Sequence, residues 1–175
     1  MAYRTRTYIA ADWDKDKAAV DQLRKWNDSN YWGLSFTDAH DLTTARDESL
    51  NCSIKKSLKS RLDASNRFVL IVGRNTDKLK AGSCTYCRSY NYYTDSCARG
   101  GSVDSRSYIE YECEKAREAY EAGEMKIIVL YNSSYIYKPS CPRVLRDIGV
   151  HSPMKKSFAD NSYFDYYKVK QAFGY

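Results

Sequence analysis

Apolar and polar positions follow two patterns along this chain, short apolar runs and longer amphipathic stretches, and the two alternate. Short runs bounded by polar residues predict strands, whereas apolar residues three or four apart predict helices. The runs at 67–73 and 126–132 are apolar almost without interruption, which is typical of central parallel strands buried on both faces. Weaker runs predict a first strand at 7–11, a second at 32–39 and a last one near 154–158.

The stretches between these strands have the spacing of amphipathic helices. In the first stretch Ala19, Leu23 and Trp26 fall on one helix face, which we expect to be buried. Helices are predicted at 14–28, at 53–65, after residue 104, and at 163–175 within a C-terminal helical tail of about 160–175.

The third helix has the clearest boundaries. Ser107 and Glu110 have the spacing of a capping box, and Gly123 is expected to end the helix. Ser53 is expected to cap the second helix. Along the third helix a buried stripe is predicted from Ile109, Cys113, Ala116 and Tyr120.

The order of strands and helices predicts one α/β domain over residues 1–175. Its sheet would be doubly wound and flavodoxin-like, with five parallel strands and helices on both faces. Residues 74–104 form a long inserted loop, which is long enough to be either functional or mobile. Ligands of such sheets bind outside the carboxyl ends of the strands. We therefore expect function in the loops at 12–16, 38–51 and after Gly73.

Composition changes this picture little. Of the 175 residues, 43% are apolar and 29% are charged, as in a soluble globular protein. No apolar run approaches the roughly 20 residues of a membrane helix. The first residues lack the apolar stretch and cleavage site of a secretory signal. We therefore expect a cytoplasmic protein that does not contact membranes.

The net charge of +6 would suit nucleic acid, an anionic membrane surface or a phosphorylated small molecule, and it does not choose among them. No aromatic residues lie between the basic residues of the second helix to stack on bases. We interpret that basic run as the solvated face of the helix, and nucleic acid is not an expected partner. The run consists of Lys55, Lys56, Lys59 and Arg61.

The chain has six cysteines, which we expect to remain thiols in a cytoplasmic protein. Cys84-x-x-Cys87 followed by Cys97 has part of the pattern of a zinc site. No fourth ligand is evident, since His40 and His151 lie in other segments. A lone CxxC is a weak signal, so zinc stays open and no metal ligand is assigned.

Two common nucleotide motifs are absent. No G-x-G-x-x-G follows the first strand, and the chain has no G-x-x-x-x-G-K-S/T. Dinucleotide redox chemistry and P-loop phosphoryl transfer therefore lack their usual sequence signals.

Four segments, in this order and at these spacings, resemble the TIR-like domains of the bacterial Thoeris ThsB family. The resemblance covers residues 5 to about 132. The segments are "TYIAADWDKD", "FTDAHDLTTARD", "SIKKSLKSRLDASNRFVLIVG" and "SYIEYECEKA" with "MKIIVLYN".

The resemblance implies an NAD-consuming enzyme of antiphage defence. Such an enzyme cleaves the bond between nicotinamide and ribose and makes a cyclic or conjugated signalling nucleotide derived from ADP-ribose. NAD is then the substrate and no cofactor is expected. The family also implies TIR self-association and a separate effector protein, which the diffusible nucleotide reaches.

The resemblance places the catalytic glutamate at Glu112, four residues after an aromatic residue. That residue is Tyr108 here, where the family usually has tryptophan. Glu114 is the nearest other carboxylate, but two positions along a helix it faces elsewhere. An ionised carboxylate at this place can stabilise the positive charge that develops on the ribose.

Substrate contacts are expected from residues in the loops around this glutamate. A cation suits the pyrophosphate, an aromatic ring can stack on a base, and carboxylates at strand ends can bind hydroxyl groups. The residues assigned to these contacts are Asp12, Trp13, Asp38, Arg46 and Tyr108.

Simpler interpretations remain open for each residue and for the whole chain. Glu112 and Arg46 can be surface residues, Trp13 can pack over the first helix, and Asp12 can cap it. The chain can also be a non-catalytic TIR module that assembles with other proteins. The tyrosine-rich segment at 86–93 would suit such a partner surface, because tyrosine gives large contact area at low entropic cost.

Overall fold

The structure, a computed structural model, describes residues 6–39, 50–157 and 163–175. No helix in these residues is long and apolar enough to span a membrane. Arg46 and most of the predicted loop after the second strand lie outside the described residues.

Five strands form one parallel sheet in the order β2-β1-β3-β6-β7. The chain begins near the middle of the sheet, extends to β2 on one side and then crosses to β3 on the other. This arrangement confirms the predicted doubly wound, flavodoxin-like sheet, and its switch point lies between β1 and β3. The strands are β1 (Arg6–Ala10), β2 (Thr37–Asp38), β3 (Ser65–Val72), β6 (Lys126–Tyr131) and β7 (Val150–Pro153).

Helices cover both faces of the sheet, as predicted. They are α1 (Lys17–Asp28), α2 (Asn51–Asp63), α3 (Tyr108–Glu121) and α4 (Tyr166–Phe173). Alternate residues of β3 point to opposite faces, so Phe68 and Leu70 pack with α2 and α3 while Val69 and Ile71 pack with α1 and α4. The core is thus two apolar layers separated by the sheet.

The long loop at 74–104, called the insertion below, has little regular structure. It contains single 3₁₀ turns and one small antiparallel hairpin, formed by β4 (Tyr90–Asn91) and β5 (Ser96–Cys97). Of its apolar side chains, Cys84 alone is buried. The insertion therefore has almost no core of its own.

Some predicted boundaries are wrong. The second strand has two residues instead of eight, because Gly33 and Ser35 both have positive φ and the chain cannot run straight through them. The last strand was predicted at 154–158, but it ends at Pro153, one residue before that range begins. Met154 packs in the core instead. The second helix begins at Asn51, so Ser53 lies inside it and does not cap it.

Two predictions about which side chains are buried and which are exposed are also wrong. Lys55 and Arg61 are buried, with 4% and 6% of their surface exposed, so the basic run is not a uniformly solvated face. The Lys55 ammonium donates to the carbonyl oxygen of Asp104, at the end of the insertion, and to that of Arg106, just after it, at 3.1 and 2.6 Å. On α3, Tyr120 is 42% exposed, whereas the rest of the predicted stripe is buried.

Candidate functional site

Glu112 is a buried carboxylate on α3, with 7% of its surface exposed. The helix that carries it begins where the sequence predicts. Ser107 Oγ accepts from the Glu110 amide at 3.2 Å, and the Glu110 carboxylate accepts from the Ser107 amide at 2.7 Å. This capping box places Glu112 in the second turn of the helix, facing the sheet. There it accepts a short hydrogen bond from the phenol of Tyr8 on β1.

Burial raises the pKa of Glu112 from 4.5 to about 7, because the ionised form loses hydration there. The Tyr8 hydrogen bond and the charge of Arg61 act in the opposite direction. Burial also raises the pKa of Tyr8 well above its usual value, so the phenol stays protonated and remains the donor. Glu112 therefore changes charge near neutral pH.

A cleft of about 240 Å³ opens beside Glu112 at the carboxyl end of β1, close to the switch point of the sheet. Its walls come from the loop after β1, from α2, from α3 and from the start of the insertion. Four of the predicted site residues line it together: Asp12, Trp13, Tyr108 and Glu112.

Tyr108 is held from three sides. Its hydroxyl donates to Asn51 Oδ1 at 3.0 Å, and its amide donates to the carbonyl of Ala81 at 2.8 Å. Its ring lies against Gly82, where a side chain would overlap the ring, and Gly82 has a φ of +93° that favours glycine in any case. The first turn of α3, the start of α2 and the insertion thus meet at this ring.

Asp12 and Trp13 follow β1 directly. The Asp12 carboxylate accepts from the amides of Asp14 and Lys15 at 3.2 and 3.4 Å, so it shapes the turn at the cleft mouth. The guanidinium of Arg24 lies 5.2 Å from the centre of the Trp13 ring. This cation occupies one face of the indole.

The other two predicted binding residues are not brought to the cleft by the described structure. Asp38 pairs with Arg24, whose Nε and Nη2 lie 3.0 and 2.8 Å from its Oδ2. Asp38 therefore supports the cation on Trp13 and does not line the cleft. Arg46 lies outside the described residues.

Sequence reasoning missed two residues that organise this site. Tyr8 was read only as part of a strand, and Asn51 only as part of a loop. A phenol in an otherwise apolar strand could have given the signal, because a buried hydroxyl needs a hydrogen-bond partner. Nothing in the sequence identifies Asn51 as the partner of Tyr108.

A larger cleft of about 390 Å³ lies at the carboxyl ends of β3 and β6, where it is lined by Arg74, Asn132 and Lys155 among others. It contains none of the predicted site residues. The smaller cleft is the stronger candidate, because it holds a carboxylate whose pKa lies near neutral pH. In the described residues no group of three or more His, Cys, Asp or Glu side chains is arranged to hold a metal ion.

Residues 7–81 match the family described as Thoeris protein ThsB, TIR-like domain. No curated protein matches the chain. The match spans β1 to β3 and the start of the insertion and ends before α3, so the assignment of Glu112 depends on its geometry.

Proposed function

Because residues 7–81 match the family described as Thoeris protein ThsB, TIR-like domain, we propose that this protein is an NAD-processing enzyme of antiphage defence. It cleaves the bond between nicotinamide and ribose in the cleft beside Glu112. The proposal is supported most directly by the position of Glu112, a buried carboxylate at the wall of a cleft near the switch point of the sheet.

The chemistry needs a negative charge beside the reacting sugar. When the glycosidic bond breaks, its electron pair leaves with the nicotinamide nitrogen, and the ribose carbon becomes an oxocarbenium-like cation. Ionised Glu112 would stabilise that cation. The surroundings strengthen the effect, because charges attract more strongly where water is excluded.

The cation must then be captured. Addition of water with loss of one proton gives ADP-ribose, and attack by a nucleophile of the same or another molecule gives a cyclic or conjugated product. We propose that this product is the diffusible signal for a separate effector, as the family resemblance implies.

The dimensions of the cleft suit one end of the substrate. About 240 Å³ is less than the roughly 300–1,000 Å³ of typical ligand pockets. The cleft would take the nicotinamide and its ribose, and Tyr108 or Trp13, which line it, would stack on a ring of the substrate. The remaining nucleotide would extend over the rim of the cleft. Arg46, which lies outside the described residues, stays the proposed partner of the pyrophosphate. A second protein copy could complete that rim, in line with TIR self-association.

Incubation of NAD with concentrated protein, followed by chromatography and mass spectrometry, tests this function. A second sample contains lysate of phage-infected cells that express the protein. Nicotinamide release with an ADP-ribose-derived product is the expected result. Unchanged NAD in both samples would contradict the proposal.

That negative result would favour the second candidate, a TIR module that assembles with other proteins without turnover. One observation supports it: Tyr92 and Tyr93, at the tip of the insertion, are 83% and 96% exposed. Exposed aromatic rings of this kind are enriched in protein interfaces. Self-association measured by sedimentation, with and without substitution of both tyrosines by serine, would then separate an assembly surface from a solvated loop.

A further inference from the structure

Four of the six cysteines meet at one place although they are far apart in the sequence. A small space of about 10 Å³ lies between the start of α2 and the insertion. Besides Leu50, Tyr90, Ser102 and Val103, its walls are formed by the four-cysteine cluster, which comprises Cys52, Cys84, Cys87 and Cys97. All six cysteines of the chain are free thiols, and the other two are separately buried in the core.

The fold presents these thiols on tight turns. The amide of Cys87 donates to the carbonyl of Cys84 at 2.9 Å, which closes the Cys84-x-x-Cys87 segment into a single turn. The amide of Gly100 closes a second turn on the carbonyl of Cys97 at 2.9 Å. A side chain at Gly101 would begin 3.6 Å from the Cys97 sulfur and 3.8 Å from the Cys52 sulfur, so these two sulfurs flank the same backbone.

We propose that the four-cysteine cluster binds one zinc ion and joins the insertion to the start of α2. Structural zinc sites use four thiolates in a tetrahedron, often with two of them in a C-x-x-C turn. Here α2 supplies the fourth ligand that the sequence alone does not reveal. Each thiol releases its proton to solvent on binding, so zinc with four thiolates carries a net charge of minus two.

Charge and size agree with such a site. Residues 74–104 contain five Lys or Arg and three Asp, so the insertion has a positive balance that offsets the charge of the complex. The volume of the space between the four cysteines is about the minimum that one water molecule requires. A single ion fits there, whereas an organic ligand does not.

Zinc binding requires a movement of side chains. As placed, no three His, Cys, Asp or Glu side chains of the described residues converge on one metal position. A cysteine sulfur is repositioned by rotation about χ1 alone, among three staggered positions. The thiols already share one cavity, so convergence needs rotamer changes and small shifts of the two turns.

A zinc site would give the insertion a crosslink to the rest of the domain. A segment with almost no apolar core needs a covalent or metal crosslink to hold one conformation. Cys52 is adjacent to Asn51, which bonds to Tyr108 and also donates to the carbonyl of Ser83 at 3.0 Å. Zinc would therefore fasten the insertion where it borders the candidate active site.

The test is elemental analysis of the purified full chain, expressed with zinc and freed of loosely bound metal by gel filtration. About one zinc per chain is expected, with cobalt substitution giving the intense thiolate-to-cobalt absorption of a cysteine site. Cys52→Ser and Cys87→Ser should lower zinc affinity at least about 10-fold, because each removes one ligand. Cys141→Ala, which removes a buried thiol outside the cluster, should retain zinc.

Several results would overturn the proposal. These are a parent chain without zinc that also fails to bind cobalt, a Cys52→Ser variant that binds as tightly as the parent, or a thiol count showing disulfides within the cluster. If the serine variants fail to fold, the chelator-treated parent is titrated with zinc in competition with a dye. One zinc site per chain is the expected result, and no site would contradict the proposal. Glu112→Gln should keep its zinc, so this outcome is independent of NAD chemistry.

Discussion

The carboxylate of Glu112 and the phenol of Tyr8 form the centre of the candidate site, and each determines the state of the other. The phenol stays protonated, because its pKa lies well above its usual value, and it donates to the carboxylate. It stabilises the ionised form of the carboxylate and so limits the rise in pKa that burial causes, and the pKa that results is about 7. In the proposed mechanism Glu112 acts in its ionised form, so turnover should rise with pH through about 7.

Removal of the phenol should shift that pH profile. In Tyr8→Phe the carboxylate loses the donor that lowers its pKa, so the midpoint of the rate against pH should move above the parent value of about 7. NAD turnover between pH 5 and 9 measures it. Tyr131→Phe is the matched control, since this buried tyrosine bonds to His151 and not to Glu112. A midpoint that stays in place or falls in Tyr8→Phe would disprove the coupling.

Part of the site could be predicted from the sequence, but the side-chain pairs that hold it in place could not. Four of the six assigned residues line one cleft, because residues at a strand end and in the first turns of a helix meet at the carboxyl edge of a parallel sheet. Asp38 lies at a strand end too, but its carboxylate bonds to Arg24. That pairing depends on side-chain directions that sequence spacing does not give.

Among the elements, α3 has the largest role because it carries both Tyr108 and Glu112. Its capping box determines where the first turn begins, and therefore which residues face β1. Gly123, with a φ of +73°, follows its end as predicted. The start of the helix is thus encoded locally, in side chains that bond to their own backbone.

Loss of this cap should weaken the protein measurably. Ser107→Ala removes the acceptor of the Glu110 amide, and such caps contribute about 1 kcal/mol to the free energy of unfolding. Denaturant unfolding should show that decrease. Ser105→Ala, an exposed position just before the helix, should change the value by less than about 0.5 kcal/mol. Equal stability of the two variants would show that the cap does not determine the helix start.

Elements with strong local signals were predicted well, and those that depend on the rest of the fold were not. The central strands β3 and β6 have continuous apolar runs, and the structure has them within two residues of the predicted ends. β7 has little apolar character, and its place in the sheet depends on backbone pairing with β6. Lys55 looks like a surface residue in sequence, and only the fold brings to it the carbonyls of Asp104, at the end of the insertion, and of Arg106, just after it.

Over the whole molecule, the doubly wound sheet places a buried ionisable group at its switch point, at a cost in stability. The pKa of Glu112 is raised on folding, so its contribution to stability is complete below pH 4.5 and is lost as pH rises through about 7. Ionising a group whose pKa rises by this amount costs roughly 3 kcal/mol.

Glu112→Gln should remove that cost. The difference in unfolding free energy between Glu112→Gln and the parent should grow in favour of the variant by roughly 2–3 kcal/mol from pH 5 to pH 9. Denaturant unfolding at the two pH values measures it. His151, whose pKa burial lowers, titrates in both proteins and cancels in the difference. A difference independent of pH would contradict the raised pKa of Glu112.

We propose that Glu112, and no neighbouring carboxylate, is the catalytic residue for NAD cleavage. The most direct measurement compares NAD loss in the parent, in Glu112→Gln and in Glu114→Gln, under conditions in which the parent is active. Glu114 is the matched control, because it lies on the same helix but pairs with Arg106 at 2.5 Å, outside the cleft. We predict at least about 100-fold slower cleavage in Glu112→Gln, since a single stabilising group is worth about that much, and near-parent cleavage in Glu114→Gln. Equal turnover by Glu112→Gln and the parent would contradict the catalytic role of Glu112.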